Sequence, residues 1–190
     1  MDSVKSFLSR KGVKLFLISI GGEIAPSLVE NLLEPIDDEI LAKKVGLSRG
    51  ADIRTHLNKI HYASVIDYNR SKDKDSGWYY YAWFLRPDKL YDEYLRKMKQ
   101  DYDDIMVRLS NLEAYTLYYC KNCNISYDYD KAFENLYHCN VCNKIMERND
   151  TEEDSIKLEK IAKGLLKEIK EVEEKFGFMK DMKPESLKVM

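Results

Sequence analysis

Four cysteines constrain this chain more than any other feature. They read Cys120-Lys121-Asn122-Cys123, then fifteen residues, then Cys139-Asn140-Val141-Cys142, and the chain has no other cysteine. Two Cys-x-x-Cys turns at this separation are a specific zinc-site pattern. The chemistry explains the spacing, because Zn²⁺ takes four thiolates in a tetrahedron and each turn presents two sulfurs to one side of the metal. The intervening residues suffice for a short β-hairpin that returns the second pair. Two disulfides would need an oxidising compartment, and nothing in the chain reads as secreted. With cysteine at all four positions there is no open coordination site, so the expectation is one structural Zn²⁺ held by Cys120, Cys123, Cys139 and Cys142. His138 is surplus to that set.

Charged residues make up 34% of the 190 positions, and the net charge is -2. That balance argues against a free-standing, non-specific nucleic-acid binder. No apolar run reaches membrane-spanning length: Val13–Ile20 is too short and contains Lys14. A soluble, cytoplasmic (nucleoid-associated) protein with no membrane partner is expected. Residues 1–87 carry 13 Lys+Arg against 11 Asp+Glu and are the only positive segment.

Residues 1–12 read as an amphipathic lead-in, and 13–20 as an apolar element stopped by Gly21-Gly22. The stretch 23–34 has helical spacing, with Pro26 in the first turn and Pro35 at the end. A helix from Glu39, capped by Asp37 or Asp38, then turns at Gly46-Leu47-Ser48 into a second helix through Ile53, Leu57 and Ile60. Ile40, Leu41, Leu47, Ile53, Leu57 and Ile60 would form the core of this helix-turn-helix. Two strands follow, 64–68 and 78–84, the second rich in aromatic residues. The expected fold is mainly α with small β: an N-terminal winged helix-turn-helix over 1–87, then an antiparallel coiled-coil linker and a C-terminal zinc ribbon.

The linker helix is placed at 88–117. Tyr91, Leu95, Met98, Tyr102, Ile105, Leu109 and Leu112 step by heptad intervals along it. The ribbon occupies 118–150. A second helix over 151–177 carries Leu158, Ala162, Leu165, Ile169, Val172 and Phe176, with Thr151 and Asp154 as a capping pair. The two helices are expected to pair antiparallel, leaving a loose tail at 178–190.

The stretch Arg70 to Trp83, which includes Asp73-Lys74-Asp75-Ser76-Gly77-Trp78 and an aromatic run, resembles the wing of archaeal transcription factor E. That family is the archaeal counterpart of the large alpha subunit of the eukaryotic general transcription factor E. Ile20-Gly21-Gly22-Glu23, Leu32-Leu33-Glu34 and Ile36–Ala42 are similar to the family's first helices, and the ribbon after a helical linker completes the order. Ala82 and Phe84 depart from its aromatic run. The resemblance implies a basal initiation factor and not an enzyme. It would bind multi-subunit RNA polymerase at clamp and stalk within the preinitiation complex. It would also help open promoter DNA, touching the upstream non-template strand. Promoter DNA, the other basal initiation factors and a second factor subunit are the further partners it implies.

The residues themselves favour protein binding over sequence reading. The second helix of the helix-turn-helix offers Arg49, Arg54 and Lys59 alongside Asp52, a sparse basic set for a groove reader. The alternative, a zinc-containing winged-helix regulator that binds duplex DNA by itself, needs a denser one. On a strand, Trp78, Tyr80, Ala82 and Phe84 face one side, and Tyr79, Tyr81 and Trp83 the other. One set covers the core. The other stays exposed, where it could bind protein or, beside Arg70, Lys72 and Lys74, stack unpaired bases. Arg70, Lys72, Lys74, Trp78, Tyr79, Tyr80, Tyr81 and Trp83 are therefore the candidate DNA- and polymerase-binding residues. Changing Trp78, Tyr80 and Trp83 together to Ala is predicted to impair binding more than folding. No phosphate loop or nucleophile motif is present.

Overall fold

A computed structural model describes residues 2–74, 77–114, 118–148 and 152–182. Among them lie eight α-helices, six short strands and one 3₁₀ helix. The chain divides into two compact units, Met1–Lys97 with Glu171–Met190, and Met98–Lys170.

The first unit starts with α1 (Asp2–Leu8), where Val4, Phe7 and Leu8 share the buried face of a helical period. α2 (Lys11–Gly21) buries Val13, Leu17 and Gly21. A side chain at Gly21 is excluded, since a Cβ there would lie 2.6 Å from Ile60 Cγ1. Gly22 then closes the helix at φ 84°, its N–H bonded to the Ile18 carbonyl. α3 (Ala25–Glu30) opens with Pro26 and is shorter than the expected 23–34 helix.

Asp37 caps α4 (Asp38–Lys44) by accepting the Glu39 N–H at 2.8 Å. α5 (Gly50–Tyr62) follows. Leu41, Ile53, Leu57 and Ile60 are fully buried, as expected, together with Leu17, Leu28 and Leu32. Ile40 is not: it is 54% exposed. α4 turns Leu41 and Ala42 inward, and Ile40 falls outside that narrow buried stripe.

Strands β1 (Ile36–Asp37), β2 (Ile66–Lys72) and β3 (Tyr79–Leu85) form an antiparallel sheet in the order β1-β3-β2. β2 runs four residues beyond the expected strand end. The register pairs Ile66 with Leu85, Tyr68 with Trp83, Arg70 with Tyr81 and Lys72 with Tyr79. β1 was not anticipated. It pairs with β3 only at Ile36–Trp83 and Asp37–Ala82.

The first turns of α6 (Pro87–Ala114) and the end of α8 (Glu152–Phe176) complete this unit. Phe7 lies 6.2 Å from Tyr91, 5.8 Å from Tyr94 and 4.9 Å from Phe176 between ring centroids. The Arg10 guanidinium sits over Phe176 and donates to Glu171 at 3.0 Å. The lead-in is thus core. Gly177–Asp181 forms the 3₁₀ helix and buries Met179, so the first residues of the expected loose tail are ordered by an apolar anchor.

The second unit holds Met98–Ala114 of α6 and Glu152–Lys170 of α8. On α6, Leu109 is buried, with Tyr102 and Ile105 half-buried; on α8, Ala162 and Ile169 are buried. Tyr102, Met106 and Leu109 line one groove with Ala162 and Leu166. Beside these helices, β4 (Tyr118–Cys120), β5 (Ile125–Tyr127) and β6 (Glu147–Arg148) form a sheet in the order β5-β4-β6. The expected hairpin between the two cysteine pairs is absent. A strand and α7 (Tyr129–Glu134) fill that stretch, α7 capped by Asp128. The hairpin is instead β4–β5, with the first Cys-x-x-Cys as its turn. Residues 115–117 of the linker helix, the Leu112 side chain, Thr151, the Asp154 side chain, Asp75, Ser76 and residues 183–190 lie outside the described residues.

Candidate metal centre and aromatic hairpin

The two cysteine turns are built alike. In each, an asparagine follows the second cysteine in the left-handed region, Asn124 at φ 58° and Asn143 at φ 57°. Asparagine adopts that conformation more readily than most residues. Its N–H returns to the carbonyl of the first cysteine, Asn124 to Cys120 and Asn143 to Cys139, both at 2.8 Å. Cys-x-x-Cys-Asn is therefore the repeated unit, a signal present in the sequence that spacing alone does not expose.

The turns bring all four sulfurs within 4.8 Å of one another. A Zn²⁺ tetrahedron with bonds near 2.3 Å has sulfur separations of about 3.8 Å, and Cys120 Sγ and Cys142 Sγ are 3.5 Å apart. The four cysteines can hold a metal ion. Backbone N–H groups of Cys142 and Val141 point at Cys139 and lower its thiol to about 6. The Lys144 N–H lowers Cys142. Cys123, hydrogen-bonded by the Cys142 sulfur, is pushed up to about 12. Sulfurs this close keep a proton between them unless a cation compensates their charge. Tyr127, buried beneath, places its hydroxyl 3.9 Å from Cys139 Sγ and donates to Asn140. Burial, then Cys139, raise the Tyr127 phenol.

In the first unit, the strand alternation is resolved by β2. The face bearing Ile66, Tyr68, Arg70 and Lys72 also bears Leu85, Trp83, Tyr81 and Tyr79. It is core at one end. Leu85 and Trp83 are each 4% exposed, and Trp83 meets Tyr68 at 5.0 Å and His61 at 6.0 Å. Halfway out, Tyr68 and Tyr81 meet edge-on at 5.2 Å. Farthest out, the Arg70 guanidinium lies 4.2 Å over Tyr79, with Lys72 Nζ at 5.7 Å. Such cation–ring contacts contribute about 0.5–1 kcal/mol at exposed sites.

Of the candidate binding residues, Arg70, Lys72, Lys74, Trp78, Tyr79 and Tyr80 are exposed, and Tyr81 is half-buried. Trp78 leads at 73% and Tyr80 is 51% exposed. Trp83 stands apart, since its ring is core. The triple Trp78, Tyr80, Trp83 change would therefore disrupt folding as well as any surface, and Trp83 has to be left out of a binding test. Sequence reasoning placed Asp37 as a helix cap and Asn58 on the second helix of the helix-turn-helix, but it did not bring them and Glu39 to the hairpin, where they line a cleft of about 680 Å³ with Trp78 and Tyr80. No local motif marks them, because β1 and α5 meet β3 only in the folded chain.

Among the described residues, no helix is long and apolar enough to cross a membrane. A helical unit with an exposed aromatic hairpin is thus followed by four cysteines that can hold a metal ion. The family described as TFIIE alpha subunit matches residues 19–113, and the chain belongs to that family. It is similar to transcription factor E of Methanocaldococcus jannaschii, 29% identical over 158 residues, covering 82% of this chain and 91% of the relative. It is also similar to transcription factor E of Methanococcus aeolicus, 29% identical over 149 residues, 78% and 84% of the two chains. Transcription factor E of Saccharolobus islandicus is 30% identical over 147 residues, 77% of this chain and 79% of the relative.

Proposed function

We propose that this chain is a basal transcription initiation factor, without enzymatic activity, that binds multi-subunit RNA polymerase in the preinitiation complex and assists promoter opening. In this reading α4, α5 and the β1-β3-β2 sheet are a winged helix whose wing is the β2–β3 hairpin. The metal is one structural Zn²⁺, and α6 and α8 pair as an antiparallel spacer. The polymerase clamp and stalk and the upstream non-template strand are its contacts. Family membership supports the class of function. The carrying observation for the mode of binding is the outer end of the hairpin, where exposed rings lie beside Arg70 and Lys72. Exposed aromatic groups of this kind serve as interface anchors and as stacking platforms.

The alternative, an autonomous reader of duplex DNA, is disfavoured by α5. Arg54 pairs with Asp38 at 2.5 Å, and Arg49 with Asp52 at 3.2 Å. Two of its three cations are thus engaged by carboxylates, and affinity for duplex scales with phosphates neutralised.

The test combines capture of archaeal RNA polymerase with a promoter-opening assay, comparing the natural chain with Trp78→Ala/Tyr80→Ala. Polymerase binding about tenfold weaker and slower opening, with unchanged circular dichroism, are expected. Undiminished capture and opening by the variant, or a sequence-specific gel shift without polymerase, would overturn the reading.

A further inference from the structure

β3 has two edges, and only one is fully used. β2 pairs along its whole length, from Ile66–Leu85 to Lys72–Tyr79. On the other edge β1 stops after Ile36–Trp83 and Asp37–Ala82. Among the described residues no strand pairs with Tyr79–Tyr81 on that side. An open edge offers unpaired N–H and C=O groups in register for an added strand. It is a template that native sheets usually shorten, charge or cover.

This edge lies in the cleft of about 680 Å³. Chain geometry places Asp37, Asp38 and Glu39 where β1 would continue, because α4 starts there. Asp38 is neutralised by Arg54. Asp37 and Glu39 remain as two negative charges on the lining. The rest of the wall is Arg54, Asn58 and six rings, Tyr68, Tyr81 and Trp83 toward the core and Trp78, Tyr79 and Tyr80 outside, with Arg70 and Lys72 over Tyr79 at the outer end. The Trp83 indole N–H is buried without a hydrogen-bond acceptor. At the α4 end of the cleft, two carboxylates beside ring faces attract a cation, since a guanidinium or ammonium gains from both. The acidic residues also serve the N-terminus of α4, but that role needs neither the rings nor the open edge.

We propose that this cleft receives an extended, basic segment of a protein partner, which adds as a strand to the open edge of β3 and sets an arginine or lysine between Asp37, Glu39 and the aromatic wall. It rests on the reading above only in placing that partner within the polymerase assembly.

The chain's two tryptophans, Trp78 and Trp83, both line the cleft, so intrinsic fluorescence reports its occupancy. The full chain is titrated with acetyl-Thr-Arg-Thr-Arg-Thr-amide. Three controls accompany it: the same peptide with citrulline for arginine, the same peptide N-methylated at the central threonine, and oligothymidine. A saturable change is expected with the arginine peptide. Removing its charge or its central N–H should each weaken binding about fivefold or more. Asp37→Asn/Glu39→Gln should do the same, and asparagine keeps the helix cap. Equal responses to arginine and citrulline, indifference to the double variant, or saturation by oligothymidine alone would overturn the proposal. Loss of the peptide response in a chain that still captures polymerase removes the cleft and leaves the initiation-factor reading standing. A specific peptide response in a chain that captures no polymerase does the reverse.

Discussion

The two units solve the same problem with different means. The first encloses a core of large apolar side chains, with Phe7, Leu17, Leu28, Leu41, Leu57, Ile60 and Tyr91 fully buried. Around the cysteines of the second, the buried cluster among the described residues is Cys120, Tyr127, Ala132, Cys139 and Met146, with Tyr118 and Tyr137 partly buried against it. Ile125, Tyr129, Phe133, Leu136, Val141 and Ile145 stay exposed there. Too little apolar surface is removed from water to offset chain entropy. A metal ion held by the four thiolates would substitute for the missing core, because its binding energy is folding energy. Small β modules can therefore carry bulky side chains outward without losing their fold, whereas in the first unit the most exposed hairpin rings, Trp78, Tyr79 and Tyr80, lie beyond Tyr81.

Metal removal should divide the two units most sharply. Chelation, or Cys139→Ser, is expected to unfold the ribbon outright, since structural zinc contributes on the order of 10 kcal/mol in small modules. Both tryptophans lie in the first unit, so their emission should be unchanged while ribbon amide signals collapse by NMR. A tryptophan shift on chelation, or full zinc content in Cys139→Ser, would break the distinction.

Trp83→Ala is the converse experiment. It should destabilise the first unit by about 4 kcal/mol in urea unfolding, as expected for truncating a buried aromatic ring. Zinc stoichiometry should stay at its natural value. A loss below about 1 kcal/mol would return Trp83 to the list of surface rings.

A smaller effect concerns the junction of β3 and α6. Arg86 donates to Asp88 through Nε at 3.1 Å and Nη2 at 2.8 Å, and its Nη1 lies 3.6 Å from Asp67. Burial pushes the Asp88 carboxyl up, but Arg86 and the Lys89 N–H outweigh it and hold the acid below its ordinary 3.8. A carboxyl whose folded-state pKa is depressed stabilises the fold above its unfolded pKa. That stability is full at neutral pH and is lost as pH falls below about 4. Asp88→Asn should cost about 1–2 kcal/mol at pH 7 and flatten the acid limb of the first unit's stability curve. An identical acid limb in the variant would assign that sensitivity elsewhere.

Much of this was legible along the chain. The cysteine pairs announced their own cluster, since each ligand pair is local and only one return is needed. The α4–turn–α5 segment followed from caps, Gly46 and spacing. The exceptions have physical reasons. Ile40 was placed inside because helical periodicity does not say how wide the buried stripe is. α7 was taken for half of a hairpin because Asp128 was not weighed as a cap. The lead-in read as amphipathic without naming what its apolar face meets, and Gly177–Asp181 carried no pattern; Phe7 packs on Phe176, far away in sequence, and Met179 is buried.

By itself the sequence determined which four cysteines cluster closely enough to hold a metal ion, the α4–turn–α5 segment, the aromatic character of β3 and the resemblance that family membership bears out. Each depends on residues near one another in the chain, where spacing and capping decide the outcome. Tertiary structure alone decided that Trp83 is core while Trp78 and Tyr80 are surface. Strand alternation names two faces without saying which is covered, and that choice was made by the pairing of Ile66 with Leu85 over the helical core. It also decided that β1 stops after two residues, leaving an acidic, ring-lined edge that no linear motif could have marked.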